Sequence, residues 1–165
     1  MFGSENCKFC QWLAANSDVP LRAVLAITFI LHGYPKVFEG GAAHMADGFA
    51  KGGMPAPVLM AWSAAIAEFG GGILIAIGLL TRLAALGHLV VMAVAIATVH
   101  FKQGYMHKAI LLPDGKPATQ GWEWQLALGC IALALVMRGA GPLSLDKTLL
   151  KNCCKKKEPQ APPGV

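Results

Sequence analysis

Between Pro57 and Leu80 the chain reads PVLMAWSAAIAEFGGGILIAIGLL, an unbroken apolar run whose single ionisable side chain is Glu68. A helix rises about 1.5 Å per residue and bilayer hydrocarbon is about 30 Å thick, so about 20 mostly apolar residues cross it. This segment is long enough. Water therefore cannot be the solvent for the whole molecule, and any fold has to place this run in lipid or inside a protein core.

Three further segments read the same way. The first runs from about Pro20 to Phe38, with Arg22 at its start and Lys36 near its end, both placed where a long cationic side chain can snorkel to headgroups. Another runs from about Leu83 to Phe101 and carries His88 and His100; the last runs from the Trp122-Glu123-Trp124 cluster to about Met137 and is a few residues short. Composition agrees: 55% of the 165 residues are hydrophobic and only 14% are charged, well to the apolar side of an ordinary soluble domain. The expected fold class is all-α, an integral membrane four-helix bundle. Its expected divisions are a cytoplasmic N-terminal segment at 1–18, the transmembrane domain at 19–150 and a disordered cytoplasmic tail at 151–165. About 18 polar and mixed residues precede the first apolar run, which is not the layout of a cleaved signal peptide, so that helix is read as retained.

Orientation follows from the basic residues. Four spans put both termini and the turn at Arg82 on one face, with nine of the fourteen Lys and Arg, against five in the two longer loops. The positive-inside rule then makes both termini cytoplasmic in a membrane crossed several times. The net charge of +5 is explained by lysines drawn to anionic lipid headgroups, with no nucleic-acid partner required.

The loops differ. Residues 39–56 contain Gly40-Gly41, a short helical middle and Gly52-Gly53-Met54-Pro55, so an interfacial helix is expected there, with Met45 and Phe49 at i,i+4 turned to lipid or to the bundle. Residues 102–121 carry the turn sequence Pro113-Asp114-Gly115 and are expected to form a small hairpin or a lid. Cys7 and Cys10 form a Cys-x-x-Cys, and Cys153-Cys154 sit among lysines at the other end. On a reducing face these are expected to be thiols, and adjacent cysteines at 153 and 154 are poorly spaced for a metal, so none is assigned; lipidation of a juxtamembrane cysteine stays open. Cys130 is expected to be a small buried hydrophobe.

Chemistry should reside in the polar groups within the membrane, since a charge at mid-bilayer costs about 2.5–3.5 kcal/mol on insertion scales unless it faces protein or water. Glu68 lies on a stripe with Ala61, Ala64, Ala65, Gly71 and Gly72, small residues that let another helix approach. It is expected to point inward. Thr28, His32 and Lys36 make a second polar stripe at i,i+4,i+8, and His100 and Glu123 close the adjacent ends of the third and fourth spans. Glu68, His32, Lys36, His100 and Glu123 are thus the candidate ligand and proton-relay residues, expected to converge in the outer half of the bundle, with no catalytic residue assigned. His88 is excluded by depth. The plainer reading is that an intramembrane Glu and its cationic partner only neutralise each other and pin helix register, with Glu123 an interfacial residue among tryptophans.

Taken together, His32-Gly33-Tyr34-Pro35-Lys36-Val37-Phe38, Glu68-Phe69-Gly70-Gly71-Gly72, Gly78-Leu79-Leu80-Thr81-Arg82-Leu83-Ala84-Ala85, Val99-His100-Phe101 and Gly139-Ala140-Gly141-Pro142-Leu143-Ser144-Leu145-Asp146 resemble the DoxX family of small bacterial four-helix membrane proteins, over about residues 21–149. The resemblance implies likeness to the membrane subunit of an archaeal thiosulfate:quinone oxidoreductase and to relatives tied to redox homeostasis. It brings no agreed catalytic residues, and the four terminal cysteines are not part of the family's usual pattern. Two functions are expected in competition: a quinone-binding membrane subunit of a redox system, or a non-catalytic accessory subunit of a larger respiratory or photosynthetic complex. In both, the partners are the lipid bilayer and other membrane protein subunits. A transporter is a weaker option, because four helices leave little room for alternating access.

Overall fold

The computed structural model describes residues 7–106, 108–111 and 117–149. The tail expected to be disordered, 151–165, and with it the pair Cys153-Cys154, lies outside these residues. In chain order the elements are α1 (Lys8–Ala15), α2 (Asp18–Phe38), α3 (Gly41–Lys51), α4 (Pro57–Ile77), α5 (Thr81–Ala95), a π-helical turn (Ile96–His100) running into a 3-10 turn (Phe101–Gln103), a hairpin of β1 (Lys108–Leu111) and β2 (Pro117–Gln120), and α6 (Glu123–Arg138). A last helical turn follows at 145–149.

Three stretches among the described residues are long and apolar enough to cross a bilayer: Lys8–Phe38, Pro57–Ile77 and Thr81–Gln103. Helix α6, which packs on α5 and α2, has 16 residues, about 24 Å at the usual rise. Where the sequence left open a hairpin or a lid after α5, the backbone forms an antiparallel ladder with Lys108 opposite Gln120 and Leu111 opposite Pro117.

Local chemistry sets the helix ends. Proline opens α4, a position where its missing N–H costs nothing. Gly78 ends it in the left-handed conformation (φ 70°), and the N–H groups of Gly78 and Leu79 return to the carbonyls of Ile75 and Leu74, a Schellman closure. The chain then re-enters a helix within two residues, and Leu80 takes up an unusual positive φ of 49°. Asp146 holds that conformation: its carboxylate accepts the N–H groups of Leu80 (2.7 Å) and Thr81 (3.0 Å), and its own N–H donates to the Gly78 carbonyl (2.9 Å). A carboxylate here also meets the positive end of the α5 dipole.

Buried Leu25 and Phe29 of α2, Ile75 of α4, Ala85 of α5 and Leu128, Ala132 and Leu135 of α6 form the core. Helices α2 and α4 cross without intervening side chains. A Cβ on Gly33 would lie 2.5 Å from the Phe69 backbone nitrogen, and one on Gly72 would lie 2.9 Å from Ile30. Many large apolar side chains, among them Ile27, Leu31, Leu59, Ile66 and Leu83, are instead exposed on the outside of the bundle. In water this would be a severe hydrophobic penalty; against lipid it is the ordinary surface of a membrane protein. Cys130 joins that exposed surface instead of the core.

Candidate functional site

The bundle has two ends, one bearing the α4–α5 turn and one bearing α3 and the hairpin. At the turn end, Arg22 does not snorkel as its place near the start of α2 suggested. Its side chain is buried and donates to four backbone carbonyls, those of Ile75 (3.0 Å), Ala76 (3.0 Å), Ala140 (3.0 Å) and Leu143 (2.6 Å). The first two are carbonyls at the C-terminus of α4, which no intrahelical N–H can satisfy, so the guanidinium completes a helix end as well as facing its dipole. Buried Asp18 stands one turn earlier, 3.9 Å from the guanidinium. It packs directly on Gly141, whose φ of 69° and lack of a side chain make the approach possible. The Gly78-to-Arg82 and Gly139-to-Asp146 motifs therefore meet each other and the start of α2 in a closed polar knot.

Toward the other end, Lys36 reaches Glu68. Its Nζ donates to both carboxylate oxygens, at 2.6 and 2.5 Å. The Glu68 side chain is 5% exposed and that of Lys36 is 27% exposed, so the pair is shut in from one side and open from the other. The close crossing at Gly33 brings the two helices near enough for this contact, and Tyr34 and Phe38 of α2 pack on Phe69 of α4 with ring centroids 6.2 and 5.3 Å apart. The HGYPKVF and EFGGG motifs are thus two halves of one contact.

The open side is a cavity of about 800 Å³. Lys36 and Glu68 stand in its wall; Met45 and Phe49 of α3 and a long series of α4 and α5 side chains from Leu59 and Leu83 to Val99 line it, and His100 stands in the lining where α5 ends. Of the two orientations that the sequence left open for Met45 and Phe49, the structure takes the bundle. Several lining residues, including Leu59, Leu83 and Val90, are also exposed on the outside of the bundle, so the cavity is a groove open to the lipid side. Its upper wall is the π-helical turn Ile96–His100, a local winding often found at functional positions. There, the Thr98 hydroxyl donates to the Val94 carbonyl (2.7 Å), and His100 Nδ1 lies 3.1 Å from Gln103 Oε1.

Of the five candidate residues, Lys36, Glu68 and His100 line this cavity. His32 lies on the exposed face of α2 with Nδ1 2.8 Å from the Thr28 carbonyl, and Glu123 opens α6, its N–H donating to the Tyr105 carbonyl beside that of Trp122; neither is among the lining residues. The periodicity behind the Thr28, His32 and Lys36 stripe is real, but only the lysine is long enough to leave that face for α4.

Sequence reasoning set His88 aside on depth, yet it is a fully buried side chain. Its ring stacks on Phe29 (centroids 3.7 Å, planes 6° apart), and Nε2 is 3.3 Å from the Glu68 carbonyl oxygen. A Cβ on Gly71 would come within 2.9 Å of Nε2. The signal was present: a glycine in the small-residue stripe of α4 leaves a slot of about one ring, and an intramembrane histidine has to fill such a slot or face lipid. Among the described residues no group of three or more His, Cys, Asp or Glu could hold a metal ion.

A lipid-facing helical bundle with an ion pair set into its wall defines a small integral membrane protein. The family model for DoxX matches residues 17–101. An uncharacterized protein of Haemophilus influenzae is 34% identical over 136 residues, covering 79% of this chain and 89% of the relative. The chain belongs to the DoxX family. No solved structure matches it.

Proposed function

We propose that the protein is the membrane subunit of a quinone-linked redox system, and that the groove between α3, α4 and α5 receives the quinone. The supporting observation is the Lys36–Glu68 pair standing in the wall of an otherwise almost wholly apolar cavity of about 800 Å³, within the usual range for a small-molecule site. An isoprenoid tail suits the apolar α4 and α5 wall and its opening toward lipid. The polar head suits the stretch of wall that carries Lys36 and Glu68; His100, twelve residues beyond the His88 ring that meets the Glu68 carbonyl, lies about 18 Å further along the helix. Lys36 has a third N–H to offer a carbonyl oxygen while staying paired, and Glu68 is placed to hold or release a proton next to it. A quinone supplies two-electron, two-proton chemistry when bound; the electrons come from an associated protein, which makes further membrane subunits part of the reading. The same reading takes α6 as a fourth span, places both termini in the cytoplasm and the bundle in a bacterial inner membrane, and treats residues 19–150 as its membrane domain.

The test is occupancy. Protein purified gently from quinone-containing membranes is expected to carry close to one quinone per chain on solvent extraction, while Lys36→Met and Glu68→Gln lower this at least about tenfold, equivalent to about 1.4 kcal/mol of binding. Extraction of phospholipid alone, or unchanged occupancy in both variants, would remove the proposal. The competing reading, an accessory subunit in which the carboxylate serves packing alone, draws support from the completeness with which Lys36 satisfies Glu68; it expects stable association with a larger complex that survives both substitutions.

A further inference from the structure

We infer that Cys7 and Cys10 form a thiol–disulfide exchange site, with Cys7 the attacking thiol and Cys10 the resolving one. This does not depend on the quinone reading and uses the other end of the molecule.

Cys7 is the N-cap of α1 and Cys10 lies in its first turn, so the two sulfurs occupy the i and i+3 positions of one helical start. Both are exposed, and neither is in a disulfide. The two side chains hydrogen-bond to each other, and the backbone N–H of Cys10, then the Cys10 side chain, then the backbone N–H of Phe9 hold the Cys7 thiol below its ordinary range. The free N–H groups of a helix start favour a thiolate there for the same reason that they favour any anion. A sulfur that is exposed, stabilised as thiolate and in contact with a second thiol is arranged for exchange, whereas a structural thiol would be buried. Next to it, Phe9 and Trp12 stack with centroids 6.5 Å apart and stand 65% and 59% exposed, an apolar step on which a polypeptide substrate can rest.

The reaction balances within the pair and its substrate. The Cys7 thiolate attacks one sulfur of a substrate disulfide, forming a mixed disulfide and releasing the other sulfur as a thiolate that takes up a proton. Cys10 loses its proton, attacks Cys7, and releases the second substrate thiol. The substrate gains two electrons and two protons, and Cys7–Cys10 becomes a disulfide. The substrate class is a disulfide, either of a low-molecular-weight thiol or of a protein.

The full-length protein in detergent, incubated with glutathione disulfide in one arm and with insulin as a protein disulfide in the other, is followed by peptide mapping of alkylated cysteines. We expect a Cys7–Cys10 disulfide to form reversibly, Cys10→Ser to trap a mixed disulfide through Cys7, and Cys7→Ser to trap none through Cys10. Iodoacetamide at neutral pH is expected to modify Cys7 at least about tenfold faster than Cys130, following thiolate fraction. Reaction in the first arm only identifies a small disulfide as substrate, and faster reaction in the second identifies a protein. No internal disulfide in either arm, or a Cys10→Ser variant that traps no adduct, overturns the inference; because α1 contributes no buried residue, neither substitution should unfold the bundle.

Discussion

Among the described residues two charged pairs sit inside this bundle, and they are finished differently. At the turn end, Arg22 is closed in by backbone: the guanidinium has four carbonyl acceptors, and its side chain and that of Asp18 are buried, with Asp18 Oδ2 making no hydrogen bond. On the groove, Lys36 and Glu68 satisfy each other and little else, and one of them faces an open cavity. A buried ion pair by itself says little about stability, because desolvation takes back most of the attraction. Completion is what separates the two. A buried cation with four hydrogen bonds to main chain is part of the scaffold, while a pair with its cationic member left half-open retains the ability to meet something else.

The largest expected effect breaks the scaffold. Replacing Arg22 by Met leaves Asp18 without its countercharge and removes a donor from four carbonyls, of which that of Ile75 keeps the Gly78 N–H; this is expected to cost about 3–5 kcal/mol. Thermal unfolding followed by tryptophan fluorescence in detergent measures it. A loss smaller than about 1 kcal/mol would mean that water or lipid headgroups already serve these carbonyls and that the knot is not closed.

The groove pair should respond less, and unequally. Lys36→Met strands a carboxylate that is 5% exposed, whereas Glu68→Gln leaves a lysine that is 27% exposed and free to turn toward the cavity; about 2 kcal/mol is expected for the first and about 1 kcal/mol for the second. The double variant is expected to recover most of the loss seen with Lys36→Met. Equal losses, or a double variant worse than either single one, would show that the cavity side is as closed as the knot and would erase the contrast.

The smallest effect sharpens the knot's anatomy. Asp146→Ala removes the acceptor for the Leu80 and Thr81 N–H groups, which is expected to cost about 1 kcal/mol, as loss of a helix cap does elsewhere. Amide exchange at residues 80 and 81 should accelerate while the core of α4 stays protected. Uniform acceleration along α4 and α5 would instead mean that the turn holds the two helices together.

The helices were legible because lipid imposes a length and an apolar composition on whatever crosses it. Segments beginning near Pro57 and Trp122 and ending near Phe38 and Met137 needed no knowledge of packing, and the inward aim of Glu68 followed from the small residues that share its stripe. Arg22 was misjudged because periodicity places a residue on a helix but does not reveal which carbonyls of another helix end nearby. The partnership of Lys36 with Glu68 had the same limit: the stripe puts His32 and Lys36 on one face of α2, and only the length of the lysine decides the contact. His88 was set aside by counting residues along α5, although the glycine that makes room for its ring stands across the interface on α4. Within the membrane part, then, one-helix properties can be read from order and spacing, while those that need two helices at a measured crossing cannot.

The π-helical turn has a further bearing on the groove. Each residue of an ordinary α-helix advances about 100° around the axis, so admitting one extra residue between Ile96 and His100 resets the rotational phase of everything beyond it. Thr98, Val99 and His100 belong both to that turn and to the cavity lining, so a change in its winding would re-aim the groove's polar members there without touching α4.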